Sequence, residues 1–286
     1  MLSIIAVLFA LAHAKHVVVI GLDGTSPNGI EHARTPAIDE LKARGAWTHR
    51  ARGVMPTVSS PNWASMIMGA GPEQHGVTSN KWELDKAPFP PIAKGSGGMF
   101  PTMFGVLREQ HPRSVIGVFH DWEGFGRLLE PKAPDVLEHP KGEDETVARA
   151  IAFIKARKPE LTFIHLDSVD HAGHHSGHGT PEYFEAVEKA DRLIGNVMAA
   201  LKQAGIFEST IVIVTADHGG VGKGHGGETL AELEIPWIIA GPGVRKGYEL
   251  KKPIDTYDTA ATVLSVLGVK QPAVWIGKPV AEAFGK

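Results

Sequence analysis

The chain has 286 residues, 43% of them hydrophobic and 21% charged, a balance that suits a folded protein with a sizeable core and excludes a disordered one. A formal net charge of -3 provides no basic face for a nucleic-acid backbone, so polymeric DNA or RNA is not an expected partner. Cysteine is absent, which excludes disulfides, thiolate ligands and lipid attachment at an amino-terminal cysteine.

Leu2 to Ala12 is an apolar run shorter than the ~20 residues that span a bilayer, and Ala12-His13-Ala14 has the small-x-small form of a cleavage site. Residues 1–14 are therefore expected to be a signal peptide, with a buried first strand as the alternative. Export would place the protein in the periplasm or outside the cell with no membrane anchor. Residues 15–286 are expected to form a single domain with short insertions.

Along that domain, short apolar runs alternate with amphipathic stretches. Strands are predicted at His16 to Leu22, Ser114 to Phe119, Leu161 to Leu166, Thr210 to Thr215 and Ile235 to Ala240, each bounded by Gly, Asp or Pro. Thr35-Pro36 opens a helix that stops at Gly45. Thr180-Pro181 opens another with an apolar face of Phe184, Val187, Ile194, Val197 and Leu201, and a third runs from about Thr256 to Gly268. The alternation predicts an α/β fold, a mainly parallel central sheet with helices on both faces. Segments Asp85 to Gly98 and Asp121 to Gly142 read as irregular excursions, and no internal repeat is present.

The acidic and histidine residues fall where such a fold places its ligands. Asp23 follows the first strand, Asp167 and Asp170 follow Leu166, and Asp217-His218 follows Thr215, so all lie at the carboxyl ends of strands. Asp23, Asp170, His174, Asp217, His218 and His225 are more donors than one cation can use. They suit two divalent ions about 4 Å apart, the separation that clamps the attacking and leaving oxygens of a phosphoryl transfer. Without cysteine, zinc fits the imidazole-rich set, with Mg or Mn as alternatives where carboxylates dominate. Two registers compete in the histidine-dense stretch, Asp167 with His171 and Asp170 with His174; Gly173 favours the second by letting the backbone approach a bound ion. Thr57, Ser59 and Ser60 offer hydroxyls before a helix start, and Ser60 before Pro61 is also a plain capping residue.

These motifs together resemble the alkaline phosphatase superfamily, and within it the nucleotide pyrophosphatase/phosphodiesterase family. The resemblance runs from Val17-Val18-Val19-Ile20-Gly21-Leu22-Asp23-Gly24 through the last helix, and includes Ser59-Ser60-Pro61-Asn62 and Gly69-Ala70-Gly71-Pro72-Glu73-Gln74-His75-Gly76-Val77. It implies that Ser59 is the nucleophile and that Asn62 hydrogen-bonds a phosphate oxygen. It also implies that Asp23, Ser59, Asp217 and His218 hold one zinc, and that Asp170, His174 and His225 hold the other. His75 is then structural. The phosphodiesterases usually carry threonine where this chain has Ser59, whereas phosphomonoesterases of the superfamily use serine. The sulfatase branch requires arginine where Trp63 stands.

The resemblance implies a two-metal hydrolase of small-molecule phosphate esters with a phosphoseryl intermediate, namely a phosphodiesterase or nucleotide pyrophosphatase. A phosphomonoesterase is the second expectation, and a non-catalytic metal- or ligand-binding relative the third. Trp82 and Trp122, in or near the excursions, could stack on a leaving group or simply pack.

Overall fold

The run Val17-Val18-Val19-Ile20 has no polar residue to face water, so it needs cover on both sides. In the computed structural model, which describes residues 14–285, that cover is present. The expected leader, residues 1–14, lies outside the described residues except for Ala14. Strand β1 (His16–Leu22) sends Val17 and Val19 into one core and Val18, Ile20 and Leu22 into another. The same alternation splits Ile211 and Ile213 from Val212 and Val214.

Eight strands form one sheet: β1, β2 (Gly45–Arg52), β3 (Ile116–His120), β4 (Val136–Glu138), β5 (Leu161–Leu166), β6 (Thr210–Thr215), β7 (Glu234–Ala240) and β8 (Tyr248–Glu249). Their order is β4-β3-β5-β1-β6-β7-β2-β8, and β7 alone runs antiparallel to its neighbours. The α/β reading with a mainly parallel sheet holds. On one face lie α1 (Pro27–His32), α2 (Pro36–Arg44) and, later in the chain, α6 (Glu143–Arg157), α7 (Ser168–His175) and α8 (Pro181–Gln203). The other face is covered by α3 (Ser59–Met68), α5 (Met103–Gln110) and α10 (Asp258–Val266), while α4 (Pro72–His75) and α9 (Leu230–Leu233) are single turns in connections. Helix α8 is capped by Thr180, whose side chain accepts from Tyr183 N, and it buries Val187, Ile194, Val197 and Leu201. Each such side chain contributes roughly 1.5–3 kcal/mol.

Two elements differ from the sequence reading. Asp85 to Gly98 is irregular as expected apart from a 3-10 turn at Ser96–Gly98, but Asp121 to Gly142 carries a 3-10 turn at Glu123–Leu128 and the edge strand β4. Three residues give too short a period to announce a strand. Strand β2 was hidden because Gly45-Ala46-Trp47-Thr48-His49-Arg50-Ala51-Arg52 mixes small and polar residues, and its partly exposed pattern places it beyond β7.

Candidate active site

Strands β5, β1 and β6 are adjacent and parallel, so Asp170, Asp23 and Asp217 emerge side by side at their carboxyl ends. Ser59 arrives after β2, which points the same way as β1, and it opens helix α3. His225 comes from the long connection between β6 and β7. Segments more than a hundred residues apart thus share one crevice.

The first group centres on His218. Its Nδ1–H donates to the Gly219 carbonyl at 2.8 Å, which leaves Nε2 with a lone pair. That nitrogen lies 3.2 Å from Asp217 Oδ2, 3.4 Å from Asp23 Oδ1 and 3.3 Å from Ser59 Oγ. Both carboxylate oxygens are buried and lack a hydrogen-bond donor. Asp217 is held through its other oxygen, which accepts from Gly24 N at 3.1 Å. Gly24 has φ +66°, and a Cβ there would sit 2.7 Å from Asp170, so only glycine turns the chain between the two groups.

The second group repeats the pattern. His174 donates from Nδ1 to the Lys223 carbonyl at 3.0 Å, and His225 donates from Nδ1 to the Thr57 carbonyl at 2.8 Å. Their Nε2 atoms then face each other at 3.2 Å, an arrangement that a cation between them suits. Asp170 Oδ2 lies 3.2 Å from His174 Nε2, and Oδ1, another buried oxygen without a donor, lies 3.8 Å from His225 Nε2. The His218 and His225 rings stack at 3.8 Å, so the two groups adjoin.

Crowding buried carboxylates without cations is unfavourable, and their acidities show it. Burial, then repulsion from Asp217, pushes the Asp23 carboxyl up to about 7. Burial and the neighbouring Asp170 raise Asp217 well above the carboxylate range, and burial and Asp23 raise Asp170. Donor-less oxygens, imidazole Nε2 atoms turned inward and mutually repelling carboxylates together fit divalent cations. All seven residues expected to bind metal come together here.

In the register Asp170 with His174 both residues meet His225, while His171 is exposed and Asp167 stands at the start of α7 without a side-chain capping bond, close to Asp23 and His165. Gly173 has a different purpose from the expected approach to an ion. A Cβ there would fall 2.5 Å from the His178 ring, so this glycine makes room for a side chain that packs α7 against Gly220. His75 stays outside the crevice, bonded to Ser65 Oγ and Val77 N at 3.0 Å each, and burial pushes it down to about 3.

Asn62 is a correction. Its amide Nδ2 donates to the carbonyls of Val54, Pro56 and Val58, and its Oδ1 accepts from Val54 N. That fixes the loop before Ser59 and leaves nothing for a phosphate oxygen. The start of α3 is also less open to an anion than a helix terminus usually is. Asn62 N–H bonds Val58 O at 3.3 Å, Pro61 has no N–H, and Ser60 N–H donates to Asn80 Oδ1 at 2.7 Å. The sequence reading missed Asn80. With Oδ1 committed, Asn80 carries two free amide donors on the exposed side of the Ser59 turn. No local motif marks it, because the contact crosses 20 residues of irregular chain. Arg127 donates to the Asn80 carbonyl and lies 5.8 Å from the Trp122 ring. Trp82 is buried in the core and unavailable to a ligand, whereas Trp122 is half-buried at the rim, 6.4 Å from the His165 ring.

The model of the family described as type I phosphodiesterase / nucleotide pyrophosphatase matches residues 17–91 and 107–224. The chain belongs to this family. This phosphodiesterase-family chain is 27% identical over 194 residues to mouse ectonucleotide pyrophosphatase/phosphodiesterase family member 1, covering 64% of itself and 21% of the relative. It is 24% identical over 214 residues to venom phosphodiesterase 2 of Crotalus adamanteus, covering 71% of itself and 26% of the relative. The matches thus span about a fifth to a quarter of those relatives' length. Murine ectonucleotide pyrophosphatase/phosphodiesterase 5, solved as an inactive variant in complex with AMP, shares the fold. Its TM-score is 0.79 at 16% identity, over 95% of this chain and 100% of that one. A 2-O GAG sulfatase shares it too, with TM-score 0.73 at 18% identity, over 95% and 74%.

Proposed function

We propose that this family member is a two-metal phosphoric ester hydrolase, a phosphodiesterase or nucleotide pyrophosphatase acting on small molecules. One observation carries the reading: around Ser59, three histidines tethered through Nδ1 turn their Nε2 atoms toward Asp23, Asp170 and Asp217, each of which has a buried oxygen without a donor. Asp23, Ser59, Asp217 and His218 would hold one divalent cation, and Asp170, His174 and His225 the other. Zinc suits these donors, with Mg or Mn as alternatives. When bound, the pair lowers the pKa of the serine hydroxyl and neutralises charge on the transferring phosphoryl group.

The residues then have separate tasks. Ser59 Oγ forms a bond to phosphorus as the ester P–O bond in line with it breaks, giving a phosphoseryl group and a free alcohol or nucleotide. Water attacks that group in turn, and Ser59 Oγ leaves with its proton restored. Asn80, oriented by Ser60, donates to an equatorial phosphoryl oxygen as charge builds there. Asn62 holds the loop on which Ser59 stands. The AMP bound to the murine relative supports a nucleotide-containing ester, and the apolar leader supports secretion or a periplasmic location.

The placement of Arg127 supports a second reading. A guanidinium anchored on Asn80, the residue assigned here to a phosphoryl oxygen, suits the extra charge of a phosphomonoester. Rates on bis(4-nitrophenyl) phosphate and 4-nitrophenyl phosphate decide between the two, measured with zinc-loaded protein and with Ser59→Ala. Diester preference that disappears in the variant supports the first reading, and monoester preference supports the second. Fewer than one bound ion per chain would return the protein to a binding role.

A further inference from the structure

Asp23 has two oxygens in two different situations. Oδ1 lacks a donor and faces His218, as described above. Oδ2 accepts two: Trp63 Nε1–H at 2.9 Å and His165 Nε2 at 3.1 Å. All three side chains are fully enclosed, and the Trp63 and His165 rings meet edge to face at 4.8 Å. A carboxylate oxygen can only accept from an indole N–H, and the same oxygen assigns the His165 proton to Nε2.

We infer that Trp63 and His165 are positioning residues that clamp Asp23 Oδ2, so that Oδ1 alone is presented to a cation. The inference rests on the two-metal reading. Three placements support it. Trp63 stands four residues after Ser59 on α3, one helical turn along, so the helix that presents the nucleophile also carries the donor. Its indole lies across β1, where a Cβ on Gly21 would come within 2.4 Å of the ring, and that contact sets how far α3 stands from the strand bearing Asp23. His165, on the neighbouring strand β5, pairs in register with Gly21 and reaches the same oxygen beside the indole. Indole and imidazole together remove the freedom of Asp23 to rotate its carboxylate or bind a cation through both oxygens, and they tie a ligand of the first ion to the nucleophile's helix. Donors behind a metal-binding group typically change affinity by about 10- to 100-fold.

The test is zinc affinity, measured on the full chain by competition with a fluorescent chelator, alongside the Tm of each metal-free protein. The variants are Trp63→Phe, which keeps an aromatic ring without the N–H, His165→Leu, and His165→Gln, whose amide N–H can reach the same oxygen. Wild type is expected to bind two ions. Trp63→Phe and His165→Leu are expected to weaken one of them about 10- to 100-fold with the other unchanged, and His165→Gln to recover most of the loss. Unchanged affinities with a lowered Tm would overturn the clamp in favour of simple packing. A third ion in wild type that His165→Leu abolishes would overturn it by making His165 a ligand, with Asp167 close enough to share it. Wild type that binds fewer than two ions would instead defeat the two-metal reading itself.

Discussion

Two buried aspartates of this molecule solve the same problem in opposite ways. Asp191, on α8, is 1% exposed and turns both oxygens to the start of α2, accepting from Ala37 N at 3.0 Å and Ile38 N at 2.8 Å. Thr35 makes no capping bond with its side chain, so a residue from another helix caps α2. Asp23 is equally enclosed, yet one of its oxygens has no donor at all and faces an imidazole lone pair. A buried carboxylate completed by backbone amides is scaffolding, while one left incomplete beside others like it is a binding group waiting for charge. The histidines divide in the same way. His75 uses both ring nitrogens inside the scaffold, whereas His174, His218 and His225 each tether Nδ1 to a backbone carbonyl and turn Nε2 into the crevice.

The sharpest break in this comparison should come from Ser59→Ala. Turnover is expected to fall at least about 10³-fold in a protein that remains folded, measured as steady-state release of nitrophenol under metal-replete conditions. Next comes the pair of asparagines. Asn80→Ala should lower kcat by about 10²-fold with little change in Tm. Asn62→Ala should lower stability first, since it strips donors and acceptors from the loop before Ser59; denaturant unfolding checks it. A large Tm loss in Asn80→Ala would place that residue with the scaffold instead.

Asp191→Ala tests the scaffolding side. It leaves two amides of α2, one buried and one part-buried, without acceptors and is expected to destabilise the fold by about 1–3 kcal/mol in urea titrations, with the number of bound ions unchanged.

Asp23→Asn should give the effect with a reversible sign. The Asp23 carboxyl is raised from 3.8 to about 7 mainly by burial, so its contribution to metal-free stability is complete below about 4 and lost as pH rises through about 7. Metal-free Asp23→Asn should therefore match wild type in acid and exceed it by several degrees of Tm above neutrality. Zinc should reverse that order, because the variant lacks a ligand oxygen. Parallel melting curves across that pH range would reject the assignment of Asp23 to the charge-deficient group.

Much of the fold was legible because its central strands have no polar face: Val17 to Ile20 and Ile211 to Val214 cannot be anything but buried. Pro and Thr at the starts of α2 and α8 marked those helices for an equally local reason. The metal-binding candidates were legible too, since Asp23, Asp170, Asp217 and His218 directly follow strands or begin the turns after them. Strand β2, strand β4 and Asn80 were not, because their signals depend on what lies across the sheet or across a loop.

The sequence by itself determined the α/β class, the central strands, and the kinds of atoms gathered at their ends, since periodicity and residue chemistry are local properties. Only the tertiary structure decided what each polar atom faces. Asn62 was drawn to the backbone and Asn80 onto the Ser60 amide beside the nucleophile, and Gly173 made room for His178 rather than for an ion. Trp63, at a position that suggested only which chemistry to exclude, was brought onto Asp23. Hydrogen-bond partners and close approaches are set by side chains far apart in the chain, and no spacing along it encodes them.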